Sequence, residues 1–389
     1  MVRAITRVTH ALDHRLGRFG RARKVLVDLR TPVCRAVLAP VYEALGRSSD
    51  VSLTFTSEYP ERIRGLVGDR RFITHAQAEW RRFDLYLNAD PWAAARLRRC
   101  ARRINFFHGV AGKYDLDKPS GLPMGFEYYD RVAFINRDRM TRYLAALVVT
   151  SEQARLVGYP KLDRLAGGQL DGAAVRERLG FRERRPTVLY APTYSTASSL
   201  HLAGEGIVNA LADAGLNVIV KLHDRSLDSD ARYTGGVDWR SRMRALERRG
   251  RVAHVDDDDA SPFLAAADLM VTDHSSVGFE FLVLDRPLVV FDAPELAAAA
   301  RINPEKIATL RSAATVVGDV AELCSAVASE LRAPARLSSL RRQVGSDMFY
   351  DAGGATGRAV AIARELLDEA SPLWGVNVTS AHPAGGDAS

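Results

Sequence analysis

Basic side chains follow an apolar strand pattern in residues 218–226, which read VIVKLHDRS. Lys221, His223 and Arg225 occupy alternate positions, so a strand presents all three on one face. Three cations on one face suit a diphosphate, because charge-assisted hydrogen bonds to phosphate oxygens are roughly twice as strong as neutral ones. The segment therefore predicts a diphosphate-binding site, and the alternative is a surface strand edge with solvated charges.

A second segment, residues 268–292, runs from an apolar strand through the polar sequence TDHSS into a helix. Ligands bind at the carboxyl ends of parallel strands, and the start of the following helix offers free N–H groups to an anion. We predict that Asp273, Ser275 and Ser276 belong to the diphosphate site, and that Glu280 accepts hydrogen bonds from two ribose hydroxyls. The alternatives are a simple helix cap at Asp273 or Ser275 and a solvated Glu280.

The third segment, residues 104–114, reads INFFHGVAGKY, and its apolar strand pattern ends at His108. Gly109 frees the backbone after the histidine, and Lys113 follows as a further residue that supports a cleft. An unperturbed histidine pKa of about 6.5 suits a general base near neutral pH, so His108 is the candidate that deprotonates an acceptor hydroxyl. The alternative is a structural histidine, which is the commoner role.

These segments lie in a chain that alternates between β-rich runs and helical stretches, which predicts parallel sheets with crossover helices. In the first half, strands are predicted at 25–29, 51–55, 84–88, 104–107, 132–135 and 147–150. In the second half, they are predicted at 187–190, 218–221, 252–255, 269–272, 288–291 and 315–317. Two similar α/β halves with a ligand-binding cleft between them are therefore expected.

The boundary between the halves is predicted between Asp163 and Pro186, where several glycines interrupt the pattern. The predicted divisions are a basic amphipathic helix at 1–23, an N-terminal α/β domain at 24–170, a C-terminal α/β domain at 171–345, a C-terminal helix at 346–370 and a disordered tail at 371–389.

The N-terminal helix is predicted from apolar residues that recur at steps of three and four, with arginines on the other faces. It either binds an anionic membrane surface or packs on the protein body. No apolar run approaches the roughly 18 residues needed to cross a bilayer, and arginines interrupt residues 1–24, where a signal peptide needs an apolar stretch. We expect a cytoplasmic protein, peripheral on the inner face of the cell membrane if this helix binds lipid.

The composition favours a globular protein with anionic partners, since 54 Lys and Arg against 47 Asp and Glu give a net charge of +7. Three cysteines lie far apart in the chain, which predicts neither a disulfide framework nor a zinc site. The acidic run 256–259 is a candidate Mg²⁺ site, but Ser261 and Pro262 directly after it are typical of a helix start. No metal or other cofactor is expected.

Taken together, the motifs resemble the CDP-glycerol glycerophosphotransferase family, of the teichoic-acid primase and polymerase type. The matching motifs are HGxxxK at His108, Gly109 and Lys113, GYPxxD at 158–163, APT at 191–193, KxH at Lys221 and His223, TDxSS at 272–276, and an aspartate–glycine region at 351–354. The resemblance implies two Rossmann-like domains that face a central cleft, as in the GT-B fold, with the acceptor-side domain at 24–170 and the nucleotide-donor-binding domain at 171–345. Thr193 and Asp163 come from these motifs as residues that support the cleft.

The resemblance also implies transfer of a polyol phosphate from a CDP-activated donor to a hydroxyl acceptor, often lipid-linked, in the synthesis of a wall or capsule polymer. His108 is then the base, Lys221 and His223 contact the diphosphate, and Ser275 and Ser276 bind it through the helix start. Three departures, His274 for tyrosine, Glu280 for aspartate and Asp224 for proline, leave the polyol and the donor open.

Two other functions remain as alternatives. One is a GT-B glycosyltransferase or epimerase that acts on a nucleotide sugar. The other is a basic binding protein that associates with membranes or nucleic acid through its arginine-rich faces. Because the arginines lack the interleaved aromatic residues of a single-strand platform, no nucleic acid partner is expected.

Overall fold

The structure is a computed structural model that describes residues 22–90, 97, 99–110, 125–181, 185–247 and 251–369. The predicted helix at 1–23, apart from its last two residues, and the predicted tail at 371–389 lie outside the described residues, as does Lys113. In the part that is described, no helix is long and apolar enough to cross a membrane.

The first sheet forms the core of what we call the N-terminal lobe. Its strands are β1 (Arg23–Asp28), β2 (Val51–Thr56), β3 (Phe83–Asn88), β4 (Cys100–Phe106), β5 (Arg131–Phe134) and β6 (Ala154–Leu156). They are parallel, in the order β2-β1-β3-β4-β5-β6. Asn88 pairs with Asn105, so the carboxyl ends of β3 and β4 lie side by side.

The second sheet forms the core of the C-terminal lobe. Its strands are β7 (Thr187–Tyr190), β8 (Asn217–Lys221), β9 (Val252–Val255), β10 (Leu269–Thr272), β11 (Leu288–Phe291) and β12 (Thr315–Val317). They are also parallel, in the order β12-β11-β10-β7-β8-β9. Every residue of β7, β10 and β11 is buried, as expected for parallel strands that are covered by helices on both faces.

One predicted strand, at 147–150, is wrong, whereas the other eleven predictions each overlap a strand. The helix Arg137–Ala145 ends just before this segment, and Leu147 has a φ of 55°. The N–H of Leu147 donates to the carbonyl of Leu144, and that of Val148 donates to Tyr143. The apolar run therefore ends a helix, and the sixth strand begins later, at Ala154.

Helices cover both sheets. In the N-terminal lobe they are Pro32–Gly46, Pro60–Val67, His75–Trp80 and Arg137–Ala145, with short 3-10 turns at Phe126–Tyr128 and Pro160–Leu162. In the linking region and the C-terminal lobe they are Asp163–Ala166, Gly172–Arg178, Ser199–Asp213, Ala231–Thr234, Trp239–Leu246, Ser261–Ala266, Ser276–Leu282, Leu296–Ala299, Pro304–Ser312, Val320–Arg332 and Ser338–Met348, with a 3-10 turn at Asp224–Leu227.

The last helix, Ala355–Glu369, returns to the N-terminal lobe, where it packs on Pro32–Gly46 and on β3 and β4. Asp163 fixes its start, because the carboxylate accepts hydrogen bonds from the backbone N–H groups of Gly353, Ala355 and Thr356 (3.1, 3.1 and 2.6 Å). The GYPxxD and aspartate–glycine motifs thus form one structural junction between the lobes.

Candidate active site

A cavity of about 250 Å³ lies between the lobes and is lined by residues of both, and we call it the interlobe cavity. It brings together most of the residues that the sequence analysis selected. They are His108 and Gly109 from the N-terminal lobe, and Thr193, Lys221, His223, Arg225, Ser275, Ser276 and Glu280 from the C-terminal lobe. The carboxyl ends of β4, β7, β8 and β10 supply these residues, as expected for two parallel sheets that face one cleft.

The imidazole of His108 is held from one side. Its Nδ1 lies 3.0 Å from Oδ1 of Asp90 and 3.3 Å from the carbonyl oxygen of Ala89. Both oxygens accept hydrogen bonds, so Nδ1 carries the proton and Nε2 is the nitrogen that can accept one. Desolvation opposes the imidazolium, but the charge and hydrogen bond of Asp90 outweigh it and raise the pKa of His108 above its usual value. The geometry suits a general base.

Asp90 is a site residue that the sequence analysis missed. Its side chain is 10% exposed, and its second oxygen accepts a hydrogen bond from the thiol of Cys34 (3.5 Å). Desolvation raises the pKa of Asp90, but His108 and Arg30 outweigh it, so the carboxyl group has a lowered pKa and stays ionised. In the sequence, Asp90 is recognisable as a polar residue just after the apolar run of β3. Its pairing with His108 could not be predicted without knowing that β3 is the neighbour of β4.

Lys221 is the last residue of β8 and His223 lies just after it, and both residues line the interlobe cavity. The Lys221 ammonium donates to the carbonyl of Leu222 (2.8 Å), and desolvation together with Lys161 lowers its pKa to about 8. The backbone N–H of Arg225 lies 3.2 Å from Nδ1 of His223 and 2.9 Å from Oδ1 of Asp224, and the same Nδ1 contacts this carboxylate. These contacts orient the His223 ring at the cavity wall.

Aromatic rings border the same wall. The ring centroid of Tyr194 lies 4.4 Å from that of His223. The guanidinium of Arg225 lies 5.1 Å from the centroid of Tyr194 and 4.8 Å from that of Tyr233, in cation–π geometry. Asp224, which contacts His223, has a lowered pKa because its interactions with His223 and Arg225 outweigh desolvation. The cationic groups are thus held in place by neighbouring rings and a carboxylate.

Asp273 has a different place from the one that the sequence suggested. It is fully buried and is not among the residues that line the interlobe cavity. Its carboxylate accepts hydrogen bonds from the backbone N–H groups of Thr193 (2.8 Å), Ser199 (3.1 Å) and His274 (2.7 Å), and from the Ser199 hydroxyl (3.0 Å). Asp273 therefore joins the loops after β7 and β10, and the neighbouring Ser275 is the cap residue of the helix.

Glu280 is buried and ion-paired, so the alternative of a solvated helix residue is wrong. Its Oε2 lies 2.7 Å from Nζ of Lys161, with side-chain exposures of 5% and 7%. Lys161 also lines the interlobe cavity and was missed, because it lies in a three-residue 3-10 turn without a periodic pattern. Desolvation lowers the pKa of Lys161, but Glu280 and Asp259 outweigh it and raise the pKa, so the lysine stays protonated.

The acidic run 256–259 has protein partners for most of its carboxylates. Asp258 forms an ion pair with Arg35 of the N-terminal lobe (2.8 Å), Asp256 contacts Arg240, and Asp259 accepts hydrogen bonds from the N–H and hydroxyl of Ser261. Among the residues that the structure describes, no group of three or more His, Cys, Asp and Glu side chains is arranged to hold a metal ion.

Comparisons with solved structures identify the fold. The wall teichoic acid polymerase TagF matches with a TM-score of 0.67 at 15% identity, over 94% of this chain and 93% of that chain. A putative UDP-N-acetylglucosamine 2-epimerase from Listeria monocytogenes matches with a TM-score of 0.58 at 16% identity, over 90% and 97%. The UDP-GlcNAc 2-epimerase from Neisseria meningitidis, bound to UDP-GlcNAc, gives 0.56 at 14%, over 89% and 100%. The expected GT-B-like α/β fold is confirmed.

A family model adds sequence evidence to the fold. The model described as CDP-Glycerol:Poly(glycerophosphate) glycerophosphotransferase matches residues 127–349, which is more than half of the chain. No significant match was found among curated proteins. The matched region contains the C-terminal-lobe wall of the interlobe cavity, with Lys221, His223, Ser275 and Ser276. It does not include His108, which precedes it in the chain. On this evidence the chain belongs to the CDP-glycerol:poly(glycerophosphate) glycerophosphotransferase family of enzymes.

Proposed function

We propose that this enzyme transfers glycerol phosphate from CDP-glycerol to a hydroxyl group of an acceptor and releases CMP. The observation that supports this most strongly is the interlobe cavity, in which His108 and Lys221 belong to opposite lobes. A base on one wall and cations on the other are what an in-line transfer between an alcohol and a diphosphate requires. The family match supports the donor class.

In the proposed reaction, His108 takes the proton from the acceptor hydroxyl through Nε2. The acceptor oxygen then attacks the β-phosphorus of the donor, and the bond from that phosphorus to the bridging oxygen breaks. CMP leaves with the bridging oxygen and its electron pair, while Lys221 and His223 stabilise the developing negative charge. Such preorganised contacts contribute most of the catalysis in phosphoryl transfer, because little covalent chemistry falls to the protein.

Ser275, Ser276 and Arg225 complete the diphosphate side in this proposal. The two serines are small residues at the start of the helix Ser276–Leu282, and both line the cavity. Arg225 is restrained by Tyr194 and Tyr233, so less rotamer entropy is lost when its guanidinium binds an anion. Glu280 lines the same cavity and is proposed to meet the ribose hydroxyls of the donor.

The proposed acceptor is a lipid-linked precursor of a teichoic-acid-like or capsular polymer. The solved relative TagF is a wall teichoic acid polymerase. The basic amphipathic pattern at 1–23 supports attachment to an anionic membrane surface, where such an acceptor lies. Deletion of residues 1–19 tests this part separately, since unchanged association with liposomes that contain anionic lipid contradicts it.

The central experiment measures CMP release from CDP-glycerol, CDP-ribitol and a UDP-sugar with candidate lipid-linked acceptors. We expect release from a CDP-polyol, whereas a preference for the UDP-sugar favours a nucleotide-sugar enzyme.

His108→Ala is expected to lower transfer by about 10²- to 10⁴-fold and to leave CDP binding within about twofold. His75→Ala is the matched control, because His75 also pairs with an aspartate of this lobe, Asp28 (3.1 Å), but does not line the cavity. An active His108→Ala variant overturns the base assignment.

A further inference from the structure

The ion pair between Lys161 and Glu280 joins the two lobes inside the interlobe cavity. Lys161 lies in the 3-10 turn Pro160–Leu162, which packs on the N-terminal-lobe helix Pro32–Gly46, whereas Glu280 lies in the C-terminal-lobe helix Ser276–Leu282. Both side chains are more than nine-tenths buried, and both line the cavity. The pair therefore places a charge of each sign where the proposed donor binds.

The segment around Lys161 is rigidly fixed, which leaves its side chain as the movable part. Tyr159 donates a hydrogen bond to the carbonyl of His108 (2.9 Å), and its ring stacks on Phe349 with centroids 5.8 Å apart. Asp163 accepts three backbone hydrogen bonds at the start of the last helix. A flexible four-carbon stem on a fixed turn lets the ammonium change partner without moving the lobe.

The cations of the cavity are close enough to oppose each other. Lys161 contributes to the lowered pKa of Lys221, and both lysines are largely desolvated. Two desolvated ammonium groups on one cavity are unfavourable unless an anion compensates them. Within the protein, Glu280 and Asp259 compensate Lys161, and Asp224, Asp257 and Asp258 partly compensate Lys221, whereas a diphosphate can compensate both lysines at once.

We propose that Lys161 is a further donor-binding residue. When the donor binds, its ribose hydroxyls form hydrogen bonds to the Glu280 carboxylate, and the Lys161 ammonium moves from Glu280 to the donor diphosphate. This proposal rests on the proposed function of the cavity. A vicinal diol donates two hydrogen bonds, which are what the Glu280 carboxylate needs when its ammonium partner departs. The alternative is a permanent clamp, in which the pair only holds the lobes together.

The two possibilities predict different behaviour toward ligands with and without ribose. If the partners exchange, Lys161→Met weakens binding of both pyrophosphate and CDP at least tenfold. Glu280→Gln, in contrast, keeps or strengthens pyrophosphate binding, because it releases Lys161 from its competing carboxylate. It weakens CDP binding, because the contact to the ribose is lost. If the pair is only a clamp, both variants weaken both ligands to a similar degree.

Lys306→Met serves as the matched control. Lys306 is another buried lysine that reaches across the lobes, toward Asp138 at 3.7 Å, and it does not line the interlobe cavity. We expect CDP and pyrophosphate affinities within about twofold of wild type for this variant. A loss of affinity equal to that of Lys161→Met indicates a general loss of lobe contact and overturns the proposal.

The double variant Lys161→Met with Glu280→Met separates stability from binding. Replacing both buried charges with apolar side chains of similar size is often neutral for stability. We expect a wild-type unfolding temperature with CDP and pyrophosphate binding still weakened at least tenfold, measured by calorimetry on the full chain. Recovery of both affinities together with stability overturns the proposal.

The wild-type protein distinguishes this proposal from the function on which it rests. If wild type does not bind CDP, the proposed function fails, and the role of Lys161 fails with it. If wild type binds CDP and Lys161→Met binds CDP and pyrophosphate equally well, only the role of Lys161 is overturned.

Discussion

Asp90 holds Nδ1 of His108 at 3.0 Å, across the neighbouring carboxyl ends of β3 and β4. The contact selects the tautomer of the imidazole and turns Nε2 into its proton acceptor. It also explains how a histidine that is only 42% exposed keeps a raised pKa, since the carboxylate outweighs desolvation. Asp90 is therefore the residue that makes His108 an effective base.

Asp90→Asn is expected to move the pH profile of the reaction. His108 must be neutral to accept a proton, so the rate falls as the pH drops below its pKa. Removing the carboxylate lowers that pKa, and the acidic limb of kcat/KM shifts to lower pH. The weaker, less well oriented base lowers kcat by about 10- to 100-fold, a part of the ~10²- to 10⁴-fold that a general base contributes.

The control for Asp90→Asn is Asp28→Asn, which perturbs the other His–Asp pair of this lobe, at His75. We expect its acidic limb to stay at the wild-type position. An unchanged limb in Asp90→Asn contradicts the assignment of the base, whatever the loss in kcat.

CDP binding is expected to weaken as the pH rises from 7 to 9.5. Desolvation and Lys161 lower the pKa of Lys221 to about 8, so the empty site loses this positive charge above that pH. A bound diphosphate raises the pKa again, and binding then takes up a proton. The affinity falls by up to about tenfold per pH unit above 8. Calorimetry in buffers of different ionisation enthalpy measures the uptake.

Lys221→Met should abolish this proton uptake, whereas Lys24→Met, at an exposed lysine of β1, should preserve it. An affinity that stays constant up to pH 9.5 in the wild type argues against a diphosphate contact at Lys221.

Asp273→Asn is expected to reduce stability before it reduces donor binding. The buried carboxylate accepts four hydrogen bonds from Thr193, Ser199 and His274. In the asparagine variant an NH₂ group replaces one of the two accepting oxygens, so that it faces N–H and O–H donors from which it cannot accept. We expect the free energy of unfolding to fall by about 3 kcal/mol, measured by chemical denaturation. Asp319→Asn, at an exposed helix start where asparagine caps equally well, should change it little. A fully stable Asp273→Asn variant that has lost CDP affinity points instead to direct ligand contact.

Transfer is expected to proceed equally well in EDTA and in added Mg²⁺. Asp256, Asp258 and Asp259 are engaged by Arg240, Arg35 and Ser261. Lys221, His223 and Arg225 line the diphosphate side of the cavity together with Asp224, Asp257 and Asp258, and these cations supply positive charge for the diphosphate. CMP release measured after exhaustive chelation tests this. Loss of activity on chelation, with recovery when Mg²⁺ is added, contradicts this prediction and indicates a metal ion that binds together with the substrate.

The two-sheet architecture could be predicted because its signals are local. Short apolar runs separated by helical stretches define parallel strands, and eleven of the twelve predicted strands overlap real ones. The exception, at 147–150, has the composition of a strand, but its backbone N–H groups close the preceding helix. Placing Lys221 and Ser275 at strand ends was sufficient to bring them to one edge of the second sheet, because a parallel sheet aligns the carboxyl ends of its strands, whereas their meeting with His108 of the first sheet depends on how the lobes face each other.

The partner of each buried polar group, in contrast, depends on the packing of segments that are distant in the chain. Asp90 meets His108 because β3 neighbours β4, and Lys161 meets Glu280, 119 residues away, because the lobes face each other. Asp273 carries the same local pattern as a ligand-binding residue, yet backbone groups of a distant loop satisfy it. Backbone propensity and hydrophobic alternation act over a few residues and are visible in the sequence, whereas a buried charge takes whichever partner the packing of distant segments brings to it.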